Sequence, residues 1–499
     1  METEIEKVSE LVPEESEFST EQPQEVVAEL EDAAELKDTD GVQDSVEPVY
    51  YPDYQFESPW TLICGAQKEF ETTKSQGFLK GCKWSPDGTC LLTCSDDGLL
   101  RLFDLPADMY KSHKTTFQGC STTQLSPSLK IKESETVYDY CWHPLMSSWN
   151  PDTCFLASTA KGSPTHLWDA YKGNLVGTYR AYNNVDEIEA ANSLCISPDG
   201  EKLYCGFDKC IRMFDVEIPG RNCQTRPTKS TDGISASQSG IISCIAVNPA
   251  LPSVYAAASY LKTIGLYSEP DGTALCVLEG HRGGVTHLKF SPDGLVLYSG
   301  GRKDSEILCW DLRNPGQVLY TLNRTVETNQ RIYFDLDPSG RFLISGDTSG
   351  CVTIWDTQMG VETSSGESPL SRLPERFRCR VNDDCTNGVS FHPWLPLVAT
   401  SSGQRHLTCR SMEECSDSDG ETESFVRREN SVKLWWAGDI NRGEEEHVRV
   451  CMVEKTRVKM RKDPHPRSEK NKEKESSPDP HRIGNKRKQV LTVEIHFIH

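Results

Sequence analysis

One segment, residues 281–311, constrains the fold of this chain most, because its pattern returns along the sequence. Residues 285–290, VTHLKF, alternate between apolar and polar side chains, as a half-buried strand does. The tetrapeptide SPDG at 291–294 has Ser, Pro and Gly where a type I turn prefers them. Two more short strand patterns follow, and the segment ends on Trp-Asp at 310–311. A repeat of roughly 40–45 residues that ends on Trp-Asp predicts one four-stranded blade of a β-propeller.

Seven units of this kind can be counted along the chain. Their patterns lie at residues 78–104, 140–169, 197–215, 242–267, 281–311, 332–356 and 389–435. A blade buries its faces only against its neighbours, so seven units predict one ring rather than seven separate domains. The sequence resembles the WD-repeat family of β-propellers. We therefore expect an all-β fold, a seven-bladed WD-repeat propeller.

Charge divides the chain into three parts. Residues 1–60 carry 19 acidic and 2 basic side chains, whereas residues 448–499 carry 14 basic and 7 acidic ones. Low aromatic content and missing periodicity at the ends predict disorder. We predict an acidic tail at 1–49, a propeller at 50–437 and a basic tail at 438–499. The basic tail fits a nuclear-import signal, a nucleic-acid contact or a merely charged end.

The last blade has two special features. A ring of sheets must close to remove its exposed edge, and residues 58–64 are expected to supply the closing strand. A long acidic insertion at about 406–430 interrupts the same blade. Within it, Ser416 and Ser418 are flanked by carboxylates, the setting of an acidophilic phosphorylation site. A plain solvated loop is the alternative interpretation of this insertion.

The WD-repeat resemblance assigns a structural role to four residues of the 281–311 unit. In this family a His, a Ser or Thr, an Asp and the Trp form a hydrogen-bonded bracket inside a blade. The candidates are His281, Ser299, Asp304 and Trp310. We expect these four side chains to hold the blade together and to carry no chemistry.

The sequence offers no sign of catalysis, metal binding or membrane insertion. It has no GxSxG motif, no Gly-rich phosphate loop and no CxxC pair, so we expect neither an enzyme nor a metal or other cofactor. No run of 18 apolar residues exists, and the acidic N-terminus lacks an apolar signal core. We therefore expect an intracellular protein whose 20 cysteines are reduced thiols, most of them buried in strands.

Binding is expected at one face of the ring, which we call the loop face. It contains the loops that lead into the first strand of each blade and those between the second and third strands. Basic and aromatic residues recur at these positions: Phe78, Lys80, Lys161, Arg180, Tyr182, Lys209, Tyr260, Lys262, Arg302, Lys303, Asn329, Arg331 and Arg405. Cations for phosphates and flat side chains for unpaired bases are what single-stranded RNA recognition requires.

Two alternatives to RNA binding remain open from the residues alone. Loops are often rich in Lys and Arg without any ligand. A protein-only WD-repeat adaptor could read peptides or histone tails at the same face, but readers of basic tails favour rims of Asp and Glu, which the assigned positions lack.

Several strings resemble one WD-repeat family closely, the nuclear telomerase Cajal body proteins. They lie at residues 78–88, 181–200, 238–250, 328–340 and 384–405. The resemblance spans about residues 50–436, whereas the tail from 448 departs from the family pattern. It implies binding to the Cajal body box, a short motif in a terminal loop of small Cajal body RNAs and of telomerase RNA.

The resemblance also implies partners and a location. The expected partners are these RNAs, dyskerin-type ribonucleoprotein components, coilin and a folding chaperonin, with no membrane and no direct DNA contact. The expected location is the nucleus and its Cajal bodies, telomeres during recruitment, and in part the cytoplasm. Support of telomerase assembly and scaffolding at DNA double-strand breaks are further implied roles. If the loop residues contact RNA, Arg302→Ala and Arg331→Ala should weaken binding and leave the melting temperature nearly unchanged.

Overall fold

The structure is a computed structural model. It describes residues 51–71, 77–109, 123–229, 237–359, 371–406 and 428–439. The predicted acidic tail, the predicted basic tail beyond residue 439 and most of the acidic insertion, with Ser416 and Ser418, lie outside the described residues. In the ranges given, no helix is long and apolar enough to span a bilayer.

Strands dominate the described residues. Up to residue 229 they are β1 (Thr61–Ala66), β2 (Leu79–Trp84), β3 (Cys90–Ser95), β4 (Leu99–Asp104), β5 (Thr123–Gln124), β6 (Leu129–Lys132), β7 (Val137–Trp142), β8 (Phe155–Ala160), β9 (Thr165–Asp169), β10 (Leu175–Tyr179), β11 (Ser193–Ile196), β12 (Lys202–Gly206), β13 (Cys210–Asp215) and β14 (Gln224–Pro227). The one α-helix of the described ranges is α1 (Lys68–Glu71), and two 3-10 turns span Ala107–Met109 and Pro151–Thr153.

The second half continues the same alternation of strand and turn. Its strands are β15 (Ile242–Val247), β16 (Val254–Ser259), β17 (Thr263–Ser268), β18 (Ala274–Glu279), β19 (Val285–Phe290), β20 (Val296–Gly301), β21 (Glu306–Asp311), β22 (Val318–Asn323), β23 (Phe334–Leu336), β24 (Phe342–Gly346), β25 (Cys351–Asp356), β26 (Phe377–Arg380), β27 (Thr386–Phe391), β28 (Leu397–Ser402) and β29 (Val432–Trp436).

These strands form seven sheets in the part of the chain that is described. Blade 1 has the order β2-β3-β4-β6, and blades 2 to 6 each take the next four strands, beginning at β7, β11, β15, β19 and β23. Blade 7 has the order β27-β28-β29-β1-β5. The all-β, seven-bladed propeller predicted from the repeat is confirmed, and blade 4, which departs most from the pattern, is a regular four-stranded sheet.

An N-terminal strand closes the ring. Strand β1 pairs antiparallel with β29, with Thr61 opposite Trp436 and Ala66 opposite Val432. The segment expected from the sequence to do this, 58–64, overlaps β1. This pairing joins the N-terminal part of the propeller to its last blade and so closes the ring.

The core lies between neighbouring blades. The cluster between blades 1 and 7 contains Trp84, Leu91 and Phe103 from one side and Leu397 and Leu434 from the other, all of them buried. Each blade therefore depends on both neighbours for burial, as in other stacked repeats. The cysteines of the described residues are free thiols, and most of them lie in these strands.

The four bracket candidates contact one another in blade 5. The Nδ1 of His281 lies 2.8 Å from Oδ2 of Asp304, and its Nε2 lies 2.7 Å from Oγ of Ser299. The indole N–H of Trp310 donates to the same Oγ over 2.7 Å. All four residues are buried, so this chain of bonds satisfies their polar atoms inside the sheet.

A hydrogen bond between blades 7 and 1 lies at the face opposite the loop face. The side chain of His392, in blade 7, lies on the turn glycine of blade 1, Gly88, and its Nε2–H donates to the Gly88 carbonyl over 2.9 Å. Its Nδ1 accepts the backbone N–H groups of Trp394 and Leu395, each at 3.0 Å. Because both ring nitrogens are engaged as in neutral imidazole, a second proton has no place here. Burial accordingly lowers the pKa of His392 to about 4.

This histidine makes the ring sensitive to acid. The unfolded chain binds a proton on His392 near its ordinary pKa of about 6.5, and the folded protein binds it only near 4, so stability falls as the pH falls between these values. We expect a loss of up to about 3 kcal/mol from this group. Thermal unfolding from pH 7 to 4.5 measures it. His392→Gln, whose amide can keep the bond to Gly88, should show a shallower decline, and an equal decline in both proteins would contradict the assignment.

Candidate functional site

The loop-face positions differ in how far they reach the solvent. The exposed ones are Lys161, Arg180, Lys209, Lys262, Lys303, Asn329 and Arg405. The partly buried ones are Lys80, Tyr182, Tyr260, Arg302 and Arg331. All lie in, or directly beside, loops that enter a first strand or join a second strand to a third. The fold thus brings these residues to one face, and their individual surroundings decide which of them can meet a ligand.

Phe78 differs from the expectation. Its side chain is buried, with only 3% of the residue exposed, directly before β2. The Nζ of Lys80 lies 5.8 Å from the centre of the ring, and the guanidinium of Arg405 lies 6.0 Å from it. The assignment of Phe78 as a stacking surface is therefore corrected: its ring supports two cations above it and offers no free face to a base.

Acidic side chains share the loop face near blades 1 and 7. Lys80 pairs with Asp96 over 3.2 Å, and Arg405 approaches the same carboxylate to 3.9 Å. Asp384 lies 2.6 Å from Nε2 of His406. The loop-face positions assigned from the sequence contained no carboxylate, but Asp96 and Asp384 lie among them. The cations around blades 1 and 7 are thus partly neutralised.

Blades 4 and 5 build a stacked pair of flat side chains. The guanidinium of Arg302, between β20 and β21, lies 4.4 Å from the centre of the Tyr260 ring, between β16 and β17. Both side chains are partly exposed, and each comes from the same type of loop in adjacent blades. Guanidinium on tyrosine is a favourable contact of about 0.5–1 kcal/mol at an exposed site, so it orients both planes before any ligand arrives. An unpaired base can stack on such a platform.

A similar pair involves a residue that the sequence reasoning missed. Arg221, in the loop between β13 and β14, lies 3.9 Å from the centre of the Tyr182 ring and pairs with Asp186 over 2.6 Å. That loop was not assigned to the loop face, because it joins a third strand to a fourth. Tyr182 is therefore covered on one side by Arg221, and any base would have to stack on its other side or on the guanidinium.

Arg331 lies in the central channel. Its Nη1 donates to Oδ1 of Asp139 in blade 2 over 2.9 Å and to the hydroxyl of Tyr333 over 3.0 Å. Its Nη2 donates to the carbonyl of Ser243 in blade 4 over 2.8 Å. The side chain, 15% exposed, therefore bridges blades 2, 4 and 6. The expectation that its removal leaves the melting temperature unchanged is revised, because Asp139 is only 5% exposed and depends on this partner.

Other charged groups surround this bridge. The ammonium of Lys83 lies 3.8 Å from Asp139 and donates to the carbonyl of Tyr140. Burial opposes the charge on Lys83, but Tyr333 and Asp139 raise its pKa. Burial, with the charges of Arg331 and Lys83, lowers the pKa of His287 well below its ordinary value, so this imidazole is neutral at neutral pH.

The charged residues of the channel could have been recognised in the sequence. Four charged residues lie in the first strands of their blades: Lys83, Asp139, Lys289 and Asp335. In a propeller the first strand lines the channel, so a charge in that strand indicates a channel position. No group of His, Cys, Asp and Glu in the described ranges is arranged to hold a metal ion.

The fold, the bracket and a match to a family pattern define the class of this protein. The WD domain, G-beta repeat pattern matches residues 67–104, 173–215, 272–311 and 320–356. Each of these stretches contains the first three strands of one blade, in blades 1, 3, 5 and 6, and blades 2, 4 and 7 complete the ring. The protein is a WD-repeat β-propeller.

Similar proteins identify the family within this class. Telomerase Cajal body protein 1 of Homo sapiens is 47% identical over 394 residues, which cover 77% of this chain and 68% of the human protein. The Mus musculus protein of the same name is 47% identical, with 77% and 70% covered. The Drosophila melanogaster homolog is 35% identical over 434 residues, or 83% and 76%. The chain belongs to the telomerase Cajal body protein family, as the resemblance predicted.

Proposed function

We propose that this protein binds a short single-stranded loop of RNA at its loop face and acts as a scaffold without catalysing a reaction. The observation that carries the proposal is the Arg302–Tyr260 pair, a preformed platform at 4.4 Å. Exposed Lys262 and Lys303 flank it in the same two turns. Planar groups and free cations side by side match a ligand that has both unpaired bases and phosphates.

The ligand that fits the family is the Cajal body box loop of small Cajal body RNAs and of telomerase RNA. The relatives' names place them with telomerase and Cajal bodies. A terminal loop presents splayed bases to a flat platform, whereas a duplex keeps its bases stacked inside. We propose that binding directs these RNAs to Cajal bodies and supports telomerase assembly.

The cellular setting follows from the same proposal. Dyskerin-type ribonucleoprotein components and coilin are the proposed protein partners, and a chaperonin is the proposed folding partner of the ring. The nucleus and its Cajal bodies are the proposed location, with telomeres during recruitment and a cytoplasmic share. A scaffold role at DNA double-strand breaks and phosphorylation at Ser416 and Ser418 belong to the same proposal and rest on the resemblance and on sequence context.

The platform yields a direct test. Arg302→Ala is expected to weaken binding to a box-bearing hairpin RNA about tenfold, since loss of one stacking contact costs ~1–3 kcal/mol. The melting temperature should change little, because Arg302 and the Tyr260 ring on which it stacks are both partly exposed. Filter binding with the box hairpin and with a scrambled loop measures the effect. Arg313→Ala is the matched control, because Arg313 is an exposed arginine in the loop between β21 and β22, at the opposite face.

The outcomes separate RNA binding from the protein-only alternative. RNA binding predicts a preference of the wild-type protein for the box hairpin that Arg302→Ala reduces and Arg313→Ala retains. Asp96 and Asp384 give the alternative a physical basis, because a basic peptide could pair with them. Equal affinity of the wild-type protein for box and scrambled hairpins, together with no dependence on salt, would refute the RNA proposal.

A further inference from the structure

Three lysines on the loop face adopt a backbone conformation that suits glycine. Lys209, Lys262 and Lys303 have φ angles of 58°, 72° and 47°. Each lies in the turn between the second and third strands of its blade, in blades 3, 4 and 5. In blades 1 and 6 the residue directly before the third strand is a glycine, Gly98 or Gly350, with φ of 71° or 84°. Lys209 and Lys262 occupy that same place.

This choice of residue costs stability. With a positive φ, the Cβ of an L-residue crowds the backbone, and glycine avoids the crowding. Asn and Asp tolerate the conformation because their short side chains bond locally, which a lysine ammonium at the end of four methylenes does not do. Strain of this kind persists where the side chain serves a purpose that glycine cannot serve. Three such turns in consecutive blades point to a common purpose.

The three turns are continuous in space. The backbone N–H of Lys209 donates to the carbonyl of Gly240 over 3.0 Å, and Gly240 packs against Leu261, the residue before Lys262. At the next junction, Gly284 lies against Tyr260 and receives a hydrogen bond from the backbone N–H of Arg302, directly before Lys303. The lysines therefore follow one another along the rim, with the Arg302–Tyr260 platform between the second and the third. We call Lys209, Lys262 and Lys303 the lysine row.

The charges of the row are available to a ligand. Each of the three residues is exposed. Within the described ranges, Lys209 pairs only with its neighbour Asp208, an exposed contact at 3.0 Å, and Lys262 and Lys303 have no carboxylate in salt-bridge distance. An exposed ion pair of this kind contributes little free energy, so a phosphate can replace Asp208 as the partner of the Lys209 ammonium.

More cations stand at one end of the row. Lys303 lines a cavity of about 420 Å³ together with Arg282, Arg324 and Arg372. Arg324 is buried, and its Nε and Nη2 find no hydrogen-bond partner among the described residues. Glu306, 3.9 Å from both Arg282 and Arg372, is too distant for a tight pair with either one. Four cations and two carboxylates, Asp304 and Glu306, line the cavity, so it adds a net positive charge to the row around blades 5 and 6.

We propose that the lysine row binds the sugar–phosphate backbone of single-stranded RNA, independently of sequence, on either side of the base that stacks on the Arg302–Tyr260 platform. The proposal deepens the proposed function and rests on it for the identity of the polyanion. The row supplies contacts that any sequence can make, and the platform supplies the contact that a loop of splayed bases can make. The strained turns are retained because glycine would remove the ammonium groups.

The test replaces the lysines with the residue that the backbone prefers. The triple variant Lys209→Gly, Lys262→Gly and Lys303→Gly should fold at least as well as the wild-type protein, with an equal or higher melting temperature. For hairpin RNA, the slope of log affinity against log salt should become shallower by about 2, since each phosphate contact to a single strand contributes ~0.7. The loss of affinity should be the same for box and scrambled loops, so their ratio stays constant.

A charge-matched control excludes a general field effect. Lys172→Gln, Lys202→Gln and Arg313→Gln remove three cations at the opposite face. An unchanged slope in the glycine variant, or an equal change in the control, would overturn the lysine row. Failure of the proposed function would give a different result. The wild-type protein would then show no preference for the box hairpin, while the change in salt slope caused by the glycine variant could still be measured with poly(U). A glycine variant that lost only the preference for the box would also count against the row.

Discussion

Arg331→Ala is expected to lower the free energy of unfolding by about 3–5 kcal/mol, because it leaves the buried carboxylate of Asp139 without its charged hydrogen-bond donor. Lys83 is the remaining cation at that carboxylate, but at 3.8 Å it is beyond hydrogen-bond distance. The carbonyl of Ser243 loses its Nη2 donor in the same step. Denaturant unfolding followed by tryptophan fluorescence measures the change.

A double variant separates the buried charge from general damage to the channel. Adding Asp139→Asn to Arg331→Ala removes the uncompensated charge, so the double variant should be more stable than the sum of the single losses predicts. Arg302→Ala is the matched arginine, since Arg302 is partly exposed and stacks on Tyr260 without a buried carboxylate. A melting temperature for Arg331→Ala equal to that of Arg302→Ala would show that the Arg331–Asp139 bridge contributes nothing.

The fold could be predicted from the sequence because it depends on a repeat. Turn residues and strand alternation recur in most blades. The degenerate unit, blade 4, can be placed because its neighbours need its faces for burial. The bracket was also accessible, since His281, Ser299, Asp304 and Trp310 have fixed places within one unit. Local patterns of this kind determine strands and turns, and burial between blades follows from them.

Side-chain environments on the loop face could be predicted only in part. The topology brought the assigned residues to one face, but a loop position does not say whether its side chain points outward or into the channel. Arg331, Phe78 and Arg180 all lie in loops that lead into a first strand. Arg331 nevertheless bridges three blades, and Phe78 is buried, whereas Arg180 is exposed. The difference depends on partners far apart in sequence, such as Asp139, 192 residues before Arg331.

Positive φ angles are likewise hidden from the sequence. A lysine between two strands suggests an ordinary charged turn, and only the backbone shows that Lys209 and Lys262 stand where blades 1 and 6 have glycine. Aligning the seven turns by the first residue of each third strand gives a signal in retrospect. A lysine at a position that other blades give to glycine is then the exception, and we propose that it marks the binding side of the ring.

Gly81→Ala is expected to destabilise the ring by about 3 kcal/mol or more. Gly81 lies within β2 with φ of 94°, a conformation that costs an L-residue ~1–2 kcal/mol. A Cβ added there would lie 2.4 Å from Cε2 of Tyr333, well inside the contact distance, so the buried ring must move, and overpacking of this kind costs ~1–3 kcal/mol. Tyr333 accepts a hydrogen bond from Arg331, so the displacement also disturbs the channel bridge.

The two contributions to this loss can be measured apart. Gly316 has φ of 100° but nothing within 4 Å of an added Cβ, so Gly316→Ala reports the cost of the conformation alone. The excess loss in Gly81→Ala then measures the collision with Tyr333. When Gly81→Ala is combined with Tyr333→Ala, the loss should be smaller than the sum of the two single losses, because the ring that occupies the space is gone. An equal loss of unfolding free energy in Gly81→Ala and Gly316→Ala, measured by denaturant unfolding, would show that Gly81 does not pack closely against the Tyr333 ring.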